Sequence, residues 1–341
     1  MKAVVQTRYG SPSDLEVREV PTPVVGDGEV LVRVRAASLH PDVWHVVAGH
    51  PYVLRLMGGG FSKPVNPIPG TDMAGILESV GRGANRFRPG DPVFGETFLS
   101  HQWANGGAFA EYVSVRQDLL ALKPDNVTFE QAASVPSSGL IALQNLRDLG
   151  RWRPGRRVLI NGAGGGVGLL ALQMMKAHGA HVTAVDSARK FDMLRSLGAD
   201  EVVDYRREDF TLRGIRYGFI LDVPGTRPFS EIRRALEPDG TYVPIGHEGF
   251  GASGRRLLGL VPRFVGLMLF SRFVPQLRGP DLPPPGKAEA IGVLRGLLER
   301  GEITPIIDST YPLSEVREAF RHMMEDETLG KVILTPGSVE A

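Results

Sequence analysis

The chain has 341 residues, of which 42% are hydrophobic and 23% charged, and its formal net charge is +1. This charge argues against a general affinity for nucleic acid or for anionic membranes, and the length indicates two domains rather than one. The absence of cysteine excludes disulfides, thiolate nucleophiles and cysteine-ligated metal sites.

Short runs rich in valine and aromatic residues predict a β-rich N-terminal part. Glycine, proline and aspartate separate these runs, which lie at residues 2–7, 28–38, 75–81, 91–96 and 109–115. Short strands at this spacing are typical of a compact barrel or sandwich. The pattern then changes, because Thr128 is followed three residues later by Gln131, which is the capping box of a helix N-terminus.

From residue 157 onwards, predicted strands alternate with predicted helices. The strands lie at residues 157–161, 181–186, 201–205, 217–223 and 240–246. Such alternation predicts βαβ units and a parallel sheet covered on both faces. Two further helices are predicted at residues 288–301 and 314–326, before a closing strand at 331–336 that could return to the first domain.

The turn after the first of these strands reads "NGAGGGVG" and spans residues 161–168. Gly165 and Gly168 take the second and third glycine positions of the dinucleotide-binding pattern, while Ala163 replaces the first. A strand precedes the turn, a helix follows it, and the next strand ends in Asp186. Unpaired amides at the helix N-terminus suit a phosphate, so the turn predicts a bound dinucleotide pyrophosphate. The alternative is a plain glycine turn without a ligand.

Several motifs in fixed order resemble those of a known family. "GTDMAGILESVG", "NGAGGGVG", "LRSLGADEVVDY" and "GKVILTP" together are similar to the medium-chain dehydrogenase/reductase superfamily, and most of all to its zinc-free quinone oxidoreductase-like branch. The resemblance implies an α/β fold, with a GroES-like β-rich catalytic domain at 1–124 and 270–341. It places a doubly wound Rossmann domain at 125–269, with the cofactor in the cleft between the two, and it implies a homodimer.

The candidate cofactor-binding residues lie in the glycine turn and at the ends of the following strands. They are Gly162, Gly164, Gly165, Gly166, Val167, Asp186, Ser187, Lys190, Tyr205 and Gly246. A carboxylate at position 186 favours NADH, because it accepts hydrogen bonds from a free ribose and repels a 2′-phosphate. The hydroxyl and cations that follow it favour NADPH, as does the resemblance. We therefore expect both cofactors to be used, with NADPH preferred.

Zinc-dependent relatives in this superfamily hold their catalytic metal at positions that match His40, Thr71 and Ser134. Neither alcohol side chain replaces a thiolate or an imidazole, so we expect no zinc. The candidate catalytic residues are then His40, Thr71 and Asp72, which would polarise the acceptor or deliver a proton. The alternatives are that His40 is a hydrogen-bonded loop residue and that Asp72 fixes the backbone.

These features predict an NAD(P)H-dependent oxidoreductase that reduces a small apolar quinone, enone or carbonyl compound. The alternatives are an alcohol dehydrogenase-like or enoyl reductase-like enzyme, or a nucleotide-binding redox sensor or scaffold without turnover. The N-terminus lacks the apolar run of a signal peptide, so we expect a cytoplasmic protein. The apolar segment 257–270 is too short for a transmembrane helix. It could form core or subunit interface, a wall of the substrate pocket, or a membrane-surface contact.

Overall fold

The computed structural model describes residues 1–53, 55–56, 60–98, 104–146, 154–246, 257–259, 261–277, 286–325 and 328–337. The chain forms two compact units, one of Met1–Leu140 with Gly286–Ala341 and one of Ile141–Pro285. Both divisions fall later in the chain than the functional boundaries expected at 124/125 and 269/270, which remain a prediction.

The N-terminal part of the first unit consists mainly of short strands. In chain order these are β1 (Lys2–Val5), β2 (Glu16–Glu19), β3 (Glu29–Ser38), β4 (Asp72–Val80), β5 (Pro92–Glu96), β6 (Tyr112–Arg116) and β7 (Leu120–Leu122). Strands β1 and β2 pair with each other, while β3, β4, β5 and β7 form consecutive antiparallel neighbours and β6 pairs with β3. The sequence patterns did not predict β2, because all four of its residues are exposed and no buried face repeats along it.

Three helices accompany these strands, namely α1 (Pro41–Ala48), α2 (Phe129–Ala133) and α3 (Pro136–Asn145), of which α3 continues past Leu140 into the second unit. Sequence patterns predicted α2, and its capping box is confirmed: the Thr128 hydroxyl accepts from the Gln131 amide, and the Gln131 side chain accepts from the Thr128 amide. Helix α1 was not predicted, although its signals are present in Pro41 at the first position and in the left-handed Gly49 that follows its end.

The second unit is built on a five-stranded parallel sheet. Its elements are β8 (Arg157–Asn161), α4 (Gly166–Ala177), β9 (His181–Asp186), α5 (Phe191–Ser196), β10 (Glu201–Asp204), β11 (Tyr217–Asp222), α6 (Phe229–Ile232), β12 (Leu236–Pro244) and α7 (Val261–Ser271). The strand order β10-β9-β8-β11-β12 is that of a doubly wound nucleotide-binding sheet, which confirms the predicted fold. Every residue of β11 is buried, as expected of a strand covered on both faces.

The C-terminal residues return to the first unit. They form α8 (Lys287–Glu299), β13 (Ile307–Pro312), α9 (Val316–Met324) and β14 (Lys331–Thr335). Strand β14 pairs antiparallel with β3 and parallel with β13, so it extends the sheet that the N-terminal strands begin. Strand β13 was not predicted, because it has no buried residue and so lacks an apolar face.

The apolar segment near residue 260 is helical from Val261 to Ser271. Its large side chains differ in burial: Leu267 packs against the core of the second unit, whereas Phe270 is 62% exposed. No helix in the described ranges is long and apolar enough to cross a bilayer. The three interpretations of this segment remain open.

Candidate active site

The ends of the parallel strands place the predicted cofactor residues along one edge of the second unit's sheet. The last residues of β8 and β11, Asn161 and Asp222, pair directly, as do Asp186 of β9 and Asp204 of β10. Asp222 also pairs with Pro244 near the end of β12. Ligands of doubly wound sheets bind outside this carboxyl edge, where the chain leaves β8 and β11 in opposite directions.

The glycines of the turn after β8 serve different purposes. Gly162 has φ +77°, which only glycine adopts without strain. A Cβ on Gly168 would lie 2.2 Å from the Gly162 carbonyl oxygen, so this glycine lets α4 pack against the turn. A Cβ on Gly165 would meet nothing closer than 3.6 Å. The protein itself therefore does not require a glycine at position 165, and the open space there is available to a ligand.

Gly165 is the N-cap of α4, and Gly166 and Val167 form the first turn of that helix. The first amides of a helix have no partner within the helix, and its dipole favours an anion at this end. The 12-residue helix and the unobstructed position 165 therefore have the geometry that a phosphate group would need.

Asp186 binds this same turn. Its Oδ2 accepts a hydrogen bond from the Gly164 amide at 2.7 Å, and its Oδ1 accepts one from the Ser187 amide at 2.8 Å. The ammonium of Lys190 lies 3.4 Å from Oδ1, and both side chains are buried. The carboxylate that was expected to face a ribose thus holds the glycine turn, and Lys190 is paired with it.

Tyr205 follows β10 and is 46% exposed, with the Arg206 guanidinium 5.6 Å from the centre of its ring. Gly246 follows β12 with φ +89°, and its amide donates to the Val223 carbonyl. Both residues therefore lie just beyond the carboxyl edge that carries the glycine turn.

Sequence reasoning missed Asp222, which organises this edge. It is fully buried and accepts hydrogen bonds from Asn161 Nδ2 at 2.8 Å, the Gly225 amide at 3.1 Å and the Tyr242 hydroxyl at 2.9 Å. Burial and the neighbouring carboxylate raise the pKa of Tyr242 well above its usual value, so this phenol stays protonated and donates. Asp222 therefore fixes the loops that follow β8 and β11.

In the first unit, His40 is the N-cap of α1. Its Nδ1 accepts from the Asp42 amide at 3.3 Å and lies 3.2 Å from the Asp42 carboxylate. The ring is buried, with 6% of the residue exposed. In this structure His40 therefore caps the N-terminus of α1. A part in catalysis would be a second role of the same side chain.

Asp72 is the first residue of β4 and Thr71 precedes it, and Asp72 is completely buried. Asp72 Oδ1 accepts from Ser137 Oγ at 2.5 Å and from Thr71 Oγ1 at 3.4 Å. Its Oδ2 accepts from the Ser137 amide at 3.2 Å and from Ser38 Oγ at 3.4 Å. Asp72 thus ties β3, β4 and α3 together, and Thr71 is its immediate neighbour.

A second buried carboxyl group, Glu96, lies beside this one and was not predicted. Its Oε1 is 2.9 Å from Ser137 Oγ, and its Oε2 is 2.5 Å from Lys287 Nζ. Burial and the charge of Asp72 raise the pKa of Glu96, while Lys287 opposes the shift. No sequence signal indicated Glu96, because the partners that hold it, Ser137 and Lys287, lie 41 and 191 residues away in the chain.

Lys331 adds a buried cation to the same unit. Its ammonium has no hydrogen-bond partner among the residues the structure describes. Burial lowers the pKa of Lys331 to about 8, although the charges of Asp72 and Asp42 oppose this. The "GKVILTP" motif therefore brings a lysine to the predicted catalytic aspartate.

Two of the side chains at the positions expected to match the metal ligands of zinc-dependent relatives form hydrogen bonds within the protein. The Ser134 hydroxyl donates to the Gln131 carbonyl at 2.7 Å, and the Thr71 hydroxyl donates to Asp72. Within the described ranges, no group of three or more histidine, aspartate or glutamate side chains is placed to hold a metal ion.

Two family models match parts of the chain. Residues 26–125 match the family model of the alcohol dehydrogenase GroES-like domain, and residues 197–334 match that of the zinc-binding dehydrogenase. The chain is 32% identical to the chloroplast envelope quinone oxidoreductase homolog of Arabidopsis thaliana, over 98% of both proteins.

Two further similarities cover almost the whole chain. The NADPH-dependent alkenal/one oxidoreductase of Arabidopsis thaliana chloroplasts is 29% identical, over 98% of this chain and 80% of that protein. The solved structure of the quinone oxidoreductase from Coxiella burnetii matches with a TM-score of 0.80 and 26% identity, over 99% of both chains.

Proposed function

The chain belongs to the medium-chain dehydrogenase/reductase superfamily, in its quinone oxidoreductase-like branch, and from that premise we propose that it reduces a small apolar quinone, enone or carbonyl compound with NAD(P)H. The names of two relatives, a quinone oxidoreductase homolog and an alkenal/one oxidoreductase, support this class of acceptor. Domain boundaries at 124/125 and 269/270, a homodimer and a cytoplasmic location remain predictions.

The observation that carries the proposal is the open position at Gly165. A Cβ there would meet no protein atom within 3.5 Å, while Gly168, three residues later, is closed by backbone. Gly162, Gly164, Gly166 and Val167 complete the turn that would receive the pyrophosphate. NADPH is the preferred cofactor in this proposal, with Lys190 and Tyr205 as the groups nearest the 2′-phosphate and Ser187 beside them. Gly246, which follows β12 on the other side of the glycine turn, would contact another part of the cofactor.

The reaction needs no metal in this proposal. The bound nicotinamide supplies a hydride, and the protein orients the acceptor and provides a proton. His40 and Thr71 carry the groups that would polarise the acceptor oxygen, and Asp72 accepts the hydrogen bond of the Thr71 hydroxyl. A hydroxyl whose proton is hydrogen-bonded to a carboxyl group is suited to exchange that proton with an acceptor.

The test is NADPH and NADH oxidation by the purified protein with a panel of quinones, enones and aldehydes. Titration calorimetry with NADPH alone measures binding separately. We expect binding and turnover with quinones or enones. Binding without turnover on any acceptor would favour the redox-sensor alternative, and reduction of aldehydes alone would favour the alcohol dehydrogenase alternative.

A further inference from the structure

Ser137 bridges two buried carboxyl groups. Its Oγ lies 2.5 Å from Asp72 Oδ1 and 2.9 Å from Glu96 Oε1, and Asp72 and Glu96 are 0% and 3% exposed. Both distances are those of O–H···O hydrogen bonds. The three side chains come from β4, β5 and α3, and all lie in the first unit.

One hydroxyl group has one proton, so Ser137 donates to only one of these two oxygens. The other contact is a hydrogen bond only if that carboxyl group donates to the serine oxygen. Two carboxylates that approach the same hydroxyl without such a proton would leave two buried negative charges close together. The arrangement is satisfied when the pair holds one carboxyl proton.

The hydrogen bonds show which group carries it. Asp72 accepts four hydrogen bonds from backbone or hydroxyl donors, two on each oxygen, so neither of its oxygens is left to donate. In Glu96, Oε2 accepts from Lys287, which leaves Oε1 to donate to Ser137. With the proton on Glu96, Lys287 donates to Glu96, Glu96 donates to Ser137, and Ser137 donates to Asp72. Each of these contacts then joins one donor to one acceptor.

We infer that Glu96 stores a proton and passes it through Ser137 and Asp72 to Thr71, which delivers it to the reduced acceptor. This step rests on the proposed function. Glu96 gives its proton to Ser137 while Ser137 gives its own proton to Asp72 Oδ1, and Asp72 passes that proton to Thr71 Oγ1 as the Thr71 O–H bond breaks and the bond to the acceptor forms. Each hydroxyl ends as it began, and Glu96 is left as a carboxylate until water reprotonates it.

The charged groups around these hydrogen bonds stabilise Glu96 as a carboxylate after it has given up its proton. Lys287 of α8 then faces an ionised Glu96, while Lys331 of β14 is attracted by Asp72 and by Asp42 of α1. Lys287 is 24% exposed at its side chain, which offers a route for water to Glu96. In this scheme Glu96 and Ser137 are positioning and relay residues, and neither needs to touch the substrate.

Infrared spectroscopy of the whole protein tests the stored proton without any substrate. A protonated buried carboxyl group gives a carbonyl-stretching band apart from those of carboxylates. We expect this band in the wild type at neutral pH and its loss in Glu96→Gln, whose amide reproduces the hydrogen bonds of a neutral Glu96. The matched control is Glu299→Gln, which removes an exposed partner of Arg295 and should leave the band unchanged. If the wild type shows no such band, the proposal is overturned whatever the activity.

Kinetics then tests the relay. Ser137→Ala keeps both carboxyl groups but removes the bridge, so kcat for an enone should fall at least tenfold, a part of the roughly 10²- to 10⁴-fold that general acids contribute. The solvent deuterium isotope effect on kcat should rise, while the Kd for NADPH stays the same. An unchanged isotope effect in both Ser137→Ala and Glu96→Gln would overturn the relay. A wild type that shows the band but reduces no acceptor would instead refute the proposed function.

Discussion

The carboxylate of Asp186 accepts a hydrogen bond from the backbone amide of Gly164, with 2.7 Å between Oδ2 and the nitrogen. Because the same carboxylate also pairs with Lys190 at 3.4 Å, the acid that would repel a 2′-phosphate neutralises the base that would attract one. Cofactor preference in this protein therefore depends on whether this buried pair opens.

Asp186→Ser should shift preference toward NADPH. The change removes a negative charge and releases Lys190, so the ratio of kcat/KM for NADPH to that for NADH should rise at least tenfold, about 1.4 kcal/mol. The thermal midpoint should fall, because the Gly164 amide loses its partner. Asp192→Ser is the control, since that side chain is fully exposed and pairs with Arg195 on the surface. An unchanged ratio in Asp186→Ser would show that the pair does not set the preference.

More of the second unit than of the first could be predicted from the sequence. The parallel sheet could be predicted because alternating strands and helices are local patterns, and so could the glycine turn, whose spacing lies within one segment. The direction of the Asp186 carboxylate could not, because it depends on how β8 and β9 meet. Glu96 gave no signal either: it ends a short strand, and its partners Ser137 and Lys287 are distant in sequence.

Two glycines of one turn should respond differently to substitution. Gly165→Val places side-chain atoms in the space proposed for the pyrophosphate, so the Kd for NADPH should rise at least tenfold while the fold survives. Gly168→Ala brings a Cβ within 2.2 Å of the Gly162 oxygen and should lower the thermal midpoint clearly. Calorimetric titration and thermal unfolding of both variants separate the effects. Equal affinity in Gly165→Val and the wild type would mean that phosphates bind elsewhere.

His40 should have a chemical role beyond capping α1. His40→Ser retains a good N-cap acceptor, whereas His40→Ala removes it at a cost of about 1 kcal/mol. We expect both variants to lose at least tenfold in kcat with little change in NADPH affinity, and only His40→Ala to lose stability. Stopped-flow hydride transfer and thermal unfolding measure the two properties. Full activity in His40→Ser would show that His40 serves only to cap α1.

The purified protein should contain no stoichiometric zinc. The residues at the expected ligand positions include two alcohols that are already bonded within the fold, and the chain has no cysteine. Elemental analysis should therefore find far less than one zinc per chain, and incubation with a strong chelator should leave NADPH oxidation unchanged. Loss of activity on chelation, restored by added zinc, would contradict the metal-free reaction.

Replacing Lys331 by methionine should stabilise the protein at neutral pH. Burial lowers the pKa of Lys331 to about 8 from its ordinary 10.5. Above 10.5 the amine is neutral in both the folded and the unfolded chain. Between pH 10.5 and 8 the unfolded chain binds a proton that the folded chain does not bind, so the stability falls as the pH falls through this range. Below pH 8 this cost is complete, and at about 1.4 kcal/mol for each pKa unit it amounts to a few kcal/mol.

The thermal midpoint of Lys331→Met should therefore exceed that of the wild type at pH 7, and the difference should shrink as the pH rises through 8 toward 10. Lys176→Met is the matched control, because the ammonium of Lys176 is partly exposed and lies 2.7 Å from the Asp200 carboxylate. That change should lower the midpoint at every pH in this range. If Lys331→Met proves less stable than the wild type at pH 7, the attraction of Asp72 and Asp42 outweighs the cost of burial, and Lys331 stabilises the fold as a charged group.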